Sequence, residues 1–183
     1  SGKTVTADDI SGIGNIVNNG TLVKTGDGTV SWPFSNDSTG TTIVSNGTLK
    51  VASKSGTGTP NPTHTVRGAS GATFDANGVQ NLTISVVLED GAFFVNTGSA
   101  IGNTTYQTIN LSLEGDATVT AGRNFGLMAP SWNQTGIALG SNTLTLNGTA
   151  GFWLVNTTLT GDGTIHVHGG TLHCARANQT GPH

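Results

Sequence analysis

The sequence predicts an all-β fold in which short parallel strands stack coil upon coil as a β-helix, or β-solenoid. Three observations lead to this prediction: a glycine-rich composition with few charges, apolar residues that alternate with polar ones, and an internal repeat. We expect residues 1–183 to form a single β-solenoid domain. A β-sandwich is the alternative, because its short strands alternate in the same way without a fixed repeat.

The composition excludes several classes of protein. Only 9% of the 183 residues are charged, against roughly a quarter in an ordinary soluble domain. Strong helix formers are scarce, which excludes helical bundles and coiled coils. A net charge of −3 argues against a nucleic-acid partner, and no apolar run approaches the roughly 18 residues of a membrane span. A single Cys cannot close an intramolecular disulfide bond.

The clearest internal repeat has an offset of 25 residues. Residues 84–94, ISVVLEDGAFF, align with residues 109–119, INLSLEGDATV, so that their apolar positions coincide. Because side chains alternate along a strand, we expect the apolar residues of each segment to lie on one face of one extended strand. The pattern returns at residues 144–152 and 159–167.

Turn-forming residues precede the alternating segments. Asparagine and glycine favour tight turns, so we expect them to mark the corners between strands. Two motifs recur in this way, Asn-Gly-Thr and Gly-Asp-(Gly or Ala)-Thr-(Val or Ile). The first begins at Asn19, Asn46 and Asn147, and the second begins at Gly26, Gly115 and Gly161.

Two stretches interrupt the repeat. Residues 52–71 are rich in Gly, Pro, Ser and Thr, which predicts a loop excursion between coils or a minor boundary. Residues 123–140 contain Met128, Pro130 and Trp132, and we expect a second loop there.

The N-terminal segment carries the most specific motif. Residues 20–30 read GTLVKTGDGTV, and residues 39–51 read TGTTIVSNGTLKV. This succession resembles the passenger-associated repeat of bacterial autotransporters, and residues 161–172 are a partial echo of it. The resemblance implies a right-handed parallel β-helix at a bacterial surface or in a related secreted protein. It indicates a scaffold and no particular activity.

Three histidines near the C-terminus form a candidate metal site. His166 and His168 are two residues apart in a predicted strand, so they face the same side, and a His-x-His pair suits a metal. A turn at residues 169–170 would let His173 or Cys174 approach them. The alternative is an ordinary solvent-exposed strand face.

Two carboxylates form a second candidate site. Glu89 and Glu114 are equivalent in the repeat, so a solenoid would stack them on adjacent coils about 4.8 Å apart. Close like charges raise a pKa or recruit a cation such as Ca²⁺. The alternative is an acidic turn residue that is simply repeated. No Lys or Arg adjoins these acids in the sequence, so we predict no catalytic residue.

Tryptophans and sequons are the remaining candidates. Trp32 and Trp132 lie in predicted loops, where they suit contact with a carbohydrate or a partner. Ten Asn-x-Ser/Thr sequons are candidate glycosylation sites, unless they only reflect turn chemistry. They begin at Asn19, Asn36, Asn46, Asn81, Asn103, Asn110, Asn133, Asn147, Asn156 and Asn178.

These observations together predict a secreted or cell-surface structural protein without enzymatic activity or cofactor. A surface of Thr, Ser and Asn with few charges is typical of extracellular material. We expect a scaffold, an adhesive protein or a self-assembling fibre subunit, whose partners are further copies of the chain and surface glycans. The alternative is a carbohydrate-binding or polysaccharide-cleaving β-helix, which needs Trp32 or Trp132 beside Glu89 and Glu114 in a groove.

Overall fold

A computed structural model of the chain is a parallel β-solenoid, which confirms the predicted fold class. It describes residues 3–6, 9–10, 17–35, 38–55, 64–79, 82–98, 104–122, 124–128 and 135–175. Within these ranges there is no helix, and therefore none long and apolar enough to cross a membrane.

Nineteen short strands follow one another through the described ranges. Threonine begins most of them, because its β-branched side chain suits an extended, half-buried backbone. The strands are β1 Lys3–Thr6, β2 Asp9–Ile10, β3 Thr21–Thr25, β4 Thr29–Ser35, β5 Thr41–Val44, β6 Thr48–Ser55, β7 Thr65–Gly68, β8 Thr73–Asp75, β9 Thr83–Leu88, β10 Phe93–Asn96, β11 Thr104–Leu113, β12 Ala117–Ala121, β13 Asn124–Met128, β14 Thr135–Gly140, β15 Thr143–Gly148, β16 Gly151–Val155, β17 Thr157–Gly161, β18 Thr164–Val167 and β19 Thr171–Ala175.

The strands form three parallel faces of the solenoid. Sheet A contains β1, β3, β5, β7, β9, the second half of β11, β14 and β17. Sheet B contains β2, β4, β6, β8, β10, β12, β15 and β18. Sheet C joins the first half of β11 to β13, β16 and β19. Successive strands of the chain therefore lie on different faces, and each pairs with a strand one coil away.

The 25-residue repeat is confirmed by the pairing of the strands. Ile84 faces Ile109 between β9 and β11, and Phe94 faces Val119 between β10 and β12. The expectation that each repeat segment is one strand is wrong. The chain turns at residues 89–92, between β9 and β10, because an Asp-Gly pair favours a tight turn over an extended backbone.

Columns of apolar side chains fill the interior. One column of sheet B consists of Val30, Leu49, Phe74, Phe94 and Val119. All five side chains are buried, and the rings of Phe74 and Phe94 stack with their centroids 5.3 Å apart. Because burial of each such side chain contributes about 1.5–3 kcal/mol, these columns stabilise the stack of coils.

Both of the predicted loops contain strands. Of residues 52–71, residues 52–55 extend β6, residues 65–68 form β7, and residues 56–63 lie outside the described residues. The loop expected over residues 123–140 contains β13 and β14, which give sheet C and sheet A a further strand each. That expectation is wrong, because both strands are held by pairing with β11 rather than by a strong pattern of their own.

Candidate functional site

The corner between sheets A and B, here called the A–B corner, gathers polar side chains from successive coils. Each coil makes a short turn there, so equivalent positions stack along the axis. At Gly47 the turn has φ of +64°, and a Cβ atom would lie 2.5 Å from the carbonyl oxygen of Gly28, so only glycine fits. The hydrogen-bonded polar side chains at this corner include Lys24, Asp27, Asn46, Arg67, Glu89, Asp90, Glu114, Asp116 and Asn142.

Lys24 is a fully buried cation at the A–B corner. It occupies an inward position of β3, as Leu22 does, and it faces Val44 on the next coil. Its Nζ donates hydrogen bonds to the backbone carbonyl of Gly26 and to that of Asn46, the latter at 2.8 Å. The ammonium thereby joins the turns of two coils, and buried charge is tolerated because it is hydrogen-bonded. No sequence motif indicates this role of Lys24, although Lys24 shares the inward strand parity of Leu22.

Arg67 lies between the two predicted carboxylates. Its Nε donates to Glu89 Oε1 at 2.7 Å, its Nη1 donates to Glu114 Oε1 at 2.9 Å, and its Nη2 donates to Glu114 Oε2. The hydrogen bonds from Arg67 lower the pKa of Glu114 below its ordinary value, and the same bonds raise the pKa of Arg67. A single guanidinium therefore bridges the two carboxylates and offsets one of their two negative charges.

The predicted stacking of Glu89 and Glu114 on adjacent coils agrees with the strand register, in which Leu88 faces Leu113. Sequence adjacency gave no sign of Arg67, because it is 22 residues from Glu89 and 47 from Glu114. All three side chains are partly exposed, so the ion pairs contribute little to stability. Arg67, Glu89 and Glu114 contact one another across neighbouring coils. This is the geometry of a contact between coils, and it differs from that of a catalytic acid and base that both face a substrate.

Further side chains of the A–B corner bind the backbone of the next coil. Asp90 Oδ1 accepts a hydrogen bond from the amide of Asp116 at 3.2 Å, and Asp116 Oδ1 accepts one from the amide of Thr143 at 2.7 Å. These two carboxylates satisfy backbone amides at the turn. The side-chain amide of Asn46 donates instead to the side-chain carboxylate of Asp27 on the preceding coil.

The three candidate histidines do not meet at one point. The rings of His166 and His168 lie edge to face with centroids 6.1 Å apart, which agrees with the expected shared face. His173 instead stacks on Trp153, with ring centroids 4.0 Å apart. Across the described ranges no group of three His, Cys, Asp or Glu side chains is placed to hold a metal. A structural zinc site takes four protein ligands. Metal binding by these histidines therefore stays a prediction.

The other candidates are only partly described. The expectation that Trp32 lies in a loop is wrong, because its backbone belongs to β4 and pairs with Val51 of β6. Trp132 and the sequons at Asn36, Asn81, Asn103, Asn133 and Asn178 lie outside the described residues. The remaining sequons are Asn19, Asn46, Asn110, Asn147 and Asn156. Asn147 is exposed at the end of β15, and Asn46 donates its amide to Asp27. Glycosylation and the tryptophan contacts stay predictions.

A buried histidine lies away from the A–B corner. His64 precedes β7 and is 3% exposed, and its Nε2 lies 3.2 Å from the hydroxyl of Thr42. Burial lowers its pKa from 6.5 to about 4, because a charged imidazole is poorly solvated there. His64 is therefore neutral at pH 7 and belongs to the interior of the coil.

Side chains pack closely in the described interior of the C-terminal coils. A cavity of about 10 Å³ lies among apolar side chains that include Phe125, Phe152 and Ile165. This volume is at the lower limit for a single water molecule.

Comparisons of the sequence and structure with models of protein families, with curated proteins and with solved structures give no match.

Proposed function

We propose that this chain is a non-catalytic structural β-helix of an extracellular or cell-surface protein, a scaffold with an adhesive outer face. The proposal rests mainly on the contacts of the charged side chains at the A–B corner, which are made with other parts of the same solenoid. Lys24 joins two turns, and Arg67 joins two carboxylates of neighbouring coils. These ionic groups bridge neighbouring coils, and one guanidinium binds both Glu89 and Glu114.

The outer face of sheet B supports an adhesive role. One column of this face carries a hydroxyl group at five of its six positions, and neighbouring positions are about 4.8 Å apart, the spacing of paired strands. A hydroxyl-rich surface with few charges suits hydrogen bonding with surface glycans. The column consists of Thr29, Thr48, Thr73, Phe93, Thr118 and Thr145.

The resemblance to the passenger-associated repeat supports the surface location. The residues that carry it, 20–30 and 39–51, form β3 to β6 and two A–B corners. The buried Lys24 and the glycine turn at Gly47 thus belong to the segment that bears the motif. A passenger-like protein displayed on a bacterial surface is the finer form of the proposal.

Carbohydrate cleavage is the competing function from the sequence. It would have to employ Glu89 or Glu114, and both are bound to Arg67. A carboxylate held by a guanidinium is a poor proton donor near neutral pH, because its pKa is lowered, as it is for Glu114.

Location and activity can be tested separately. Antibodies against the purified chain should label intact cells of the source organism, and external protease should remove the label. Label that appears only after permeabilisation would contradict the surface location. The purified chain should release no reducing sugar from a panel of polysaccharides. Release that Glu89→Gln abolishes, with folding intact by circular dichroism, would contradict the non-catalytic role.

A further inference from the structure

The chain contains four Asn-Gly pairs, which begin at Asn19, Asn46, Asn77 and Asn147. Asparagine before glycine is prone to lose its side-chain amide, because the backbone nitrogen of the glycine attacks Cγ of the asparagine without hindrance from a side chain. The attack closes a five-membered succinimide ring. It requires the nitrogen to lie beside Cγ, so the folded backbone decides which pair reacts.

The Asn46–Gly47 pair holds the two reacting groups together. The backbone nitrogen of Gly47 donates a hydrogen bond to Oδ1 of Asn46 at 2.9 Å. Because Oδ1 is bonded to Cγ, the nitrogen lies next to the carbon that it has to attack. The side chain of Asn46 is exposed, so its carboxamide can rotate towards the nitrogen, and water can reach the ring that forms.

The glycines of the other three pairs are engaged elsewhere. The amide of Gly20 donates to Oδ1 of Asn18 at 3.0 Å, and the amide of Gly78 donates to Oδ1 of Asn96 at 2.6 Å. Gly148 belongs to β15 and pairs with β12 in the ladder of sheet B. The fold thus directs these glycines away from the asparagines that precede them.

Lys24 binds the peptide group of the reactive pair from the interior. Its Nζ donates a hydrogen bond at 2.8 Å to the backbone carbonyl oxygen of Asn46, and the carbon of that carbonyl is bonded to the Gly47 nitrogen. This nitrogen has to give up its proton as it attacks, and the negative charge that develops is shared with the carbonyl oxygen. A buried cation on this oxygen stabilises that charge.

We infer that Asn46 is a site of spontaneous deamidation, promoted by the ammonium of Lys24. The Gly47 nitrogen forms a bond to Asn46 Cγ, the bond between Cγ and Nδ2 breaks, and Nδ2 leaves as ammonia with the proton that the Gly47 nitrogen gives up. Water then opens the succinimide and leaves aspartate or isoaspartate, each with a carboxylate in place of the carboxamide. The inference goes beyond the proposed function and does not depend on it.

The modified corner differs from the original in charge and in hydrogen bonding. The side-chain amide of Asn46 donates to the carboxylate of Asp27 on the preceding coil, and this donor is lost with the ammonia. A second carboxylate then faces Asp27, and like charges that lie close together repel. The reaction therefore weakens one contact between coils.

Peptide mapping by mass spectrometry tests the inference on the purified chain. Trypsin cleaves after Lys24, Lys50, Arg67 and Arg123, which places the four Asn-Gly pairs in four different peptides. After incubation near neutral pH, we expect Asn46 to convert several-fold faster than each of the other three asparagines. The control is the same chain in urea, where the contacts of the fold are lost and the four rates should converge. Conversion of Asn46 in the folded chain no faster than at the other pairs would overturn the inference.

Two matched variants test the part assigned to the cation. Lys24→Met removes the ammonium and should slow the conversion of Asn46 several-fold in the folded chain, with the circular dichroism spectrum unchanged. Lys50→Met removes a partly exposed lysine and should leave the rate as it is. Fragment spectra assign the site where a variant joins two peptides. A rate in Lys24→Met that equals or exceeds that of the native chain would overturn the role of Lys24. These measurements are made on purified protein, so their failure is distinguishable from failure of the surface location.

Discussion

Replacement of Lys24 by methionine tests the idea that a buried cation joins neighbouring coils. Methionine keeps most of the side-chain volume, so the change removes the ammonium without a large cavity. The carbonyls of Gly26 and Asn46 then lose the donor that Lys24 supplies. Hydrogen bonds to charged groups contribute about 1.5–3 kcal/mol each, which sets an upper limit of about 3–6 kcal/mol for the pair.

Two effects reduce the loss expected for Lys24→Met. The two carbonyls lie at a partly exposed turn, where water replaces some of the lost bonding. Removal of the ammonium also relieves the cost of burying a charge. We therefore expect the free energy of unfolding to fall by about 2 kcal/mol, and by more in Lys24→Ala, which adds a cavity.

Equilibrium urea unfolding followed by circular dichroism measures this loss. The control is Lys50→Met, because Lys50 is 36% exposed and its Nζ lies 3.9 Å from Asp75 Oδ2. We expect the control to change stability by less than about 0.5 kcal/mol. Equal stability of Lys24→Met and the native chain would refute the reasoning, since it would leave the buried ammonium without a structural role.

Four further predictions concern single residues. Because burial lowers the pKa of His64 to about 4, the unfolded chain binds a proton at this residue before the folded chain does, and about 3 kcal/mol of stability should be lost as the pH falls from 6.5 to 4. The urea midpoint of the native chain should fall over this range, and the midpoint of His64→Gln should fall less; equal changes in both would contradict the prediction. Gly47→Ala should lower the melting temperature far more than Gly71→Ala, because φ is positive at both but only Gly47 lacks space for a Cβ atom. Phe74→Ala should cost about 3–5 kcal/mol of unfolding free energy, since the ring is fully buried, and a cost below 1 kcal/mol would contradict the packed column. In Arg67→Met, NMR titration should find the pKa of Glu114 raised towards its ordinary value, and an unchanged pKa would contradict the bidentate contact.

Local repetition explains how much of the fold was predictable. Residues 84–94 and 109–119 carry the same alternation, so their register and the stacking of Glu89 on Glu114 follow from the sequence. The Asn-Gly-Thr motif likewise marks the turn at Gly47, where a positive φ is needed. Both signals lie within a few residues of the structure that they predict.

The missed features depend on contacts between coils. Lys24 and Asn46 are 22 residues apart in the sequence, and Arg67 and Glu114 are 47 apart. No local sequence pattern therefore predicts either contact. Sheet C was missed for the same reason, because β13 is defined by its pairing with β11 and β16. Its buried Phe125 stands in a stretch whose Met, Pro and Trp suggested a loop.

The central claim is that parallel coils stack in register along one axis, with threonine columns outside. Distances between pairs of spin labels test it most directly. The labels are attached to cysteines introduced at positions of the threonine column of sheet B, with Cys174 replaced by Ser, and the distances are measured by double electron–electron resonance. The pairs Thr29/Thr118 and Thr48/Thr145 are each four coils apart, and Thr29/Thr145 are five apart. We predict about 19 Å for the first two pairs and about 24 Å for the third. Unequal distances for the two four-coil pairs, or a third distance no longer than these, would contradict the stacked solenoid.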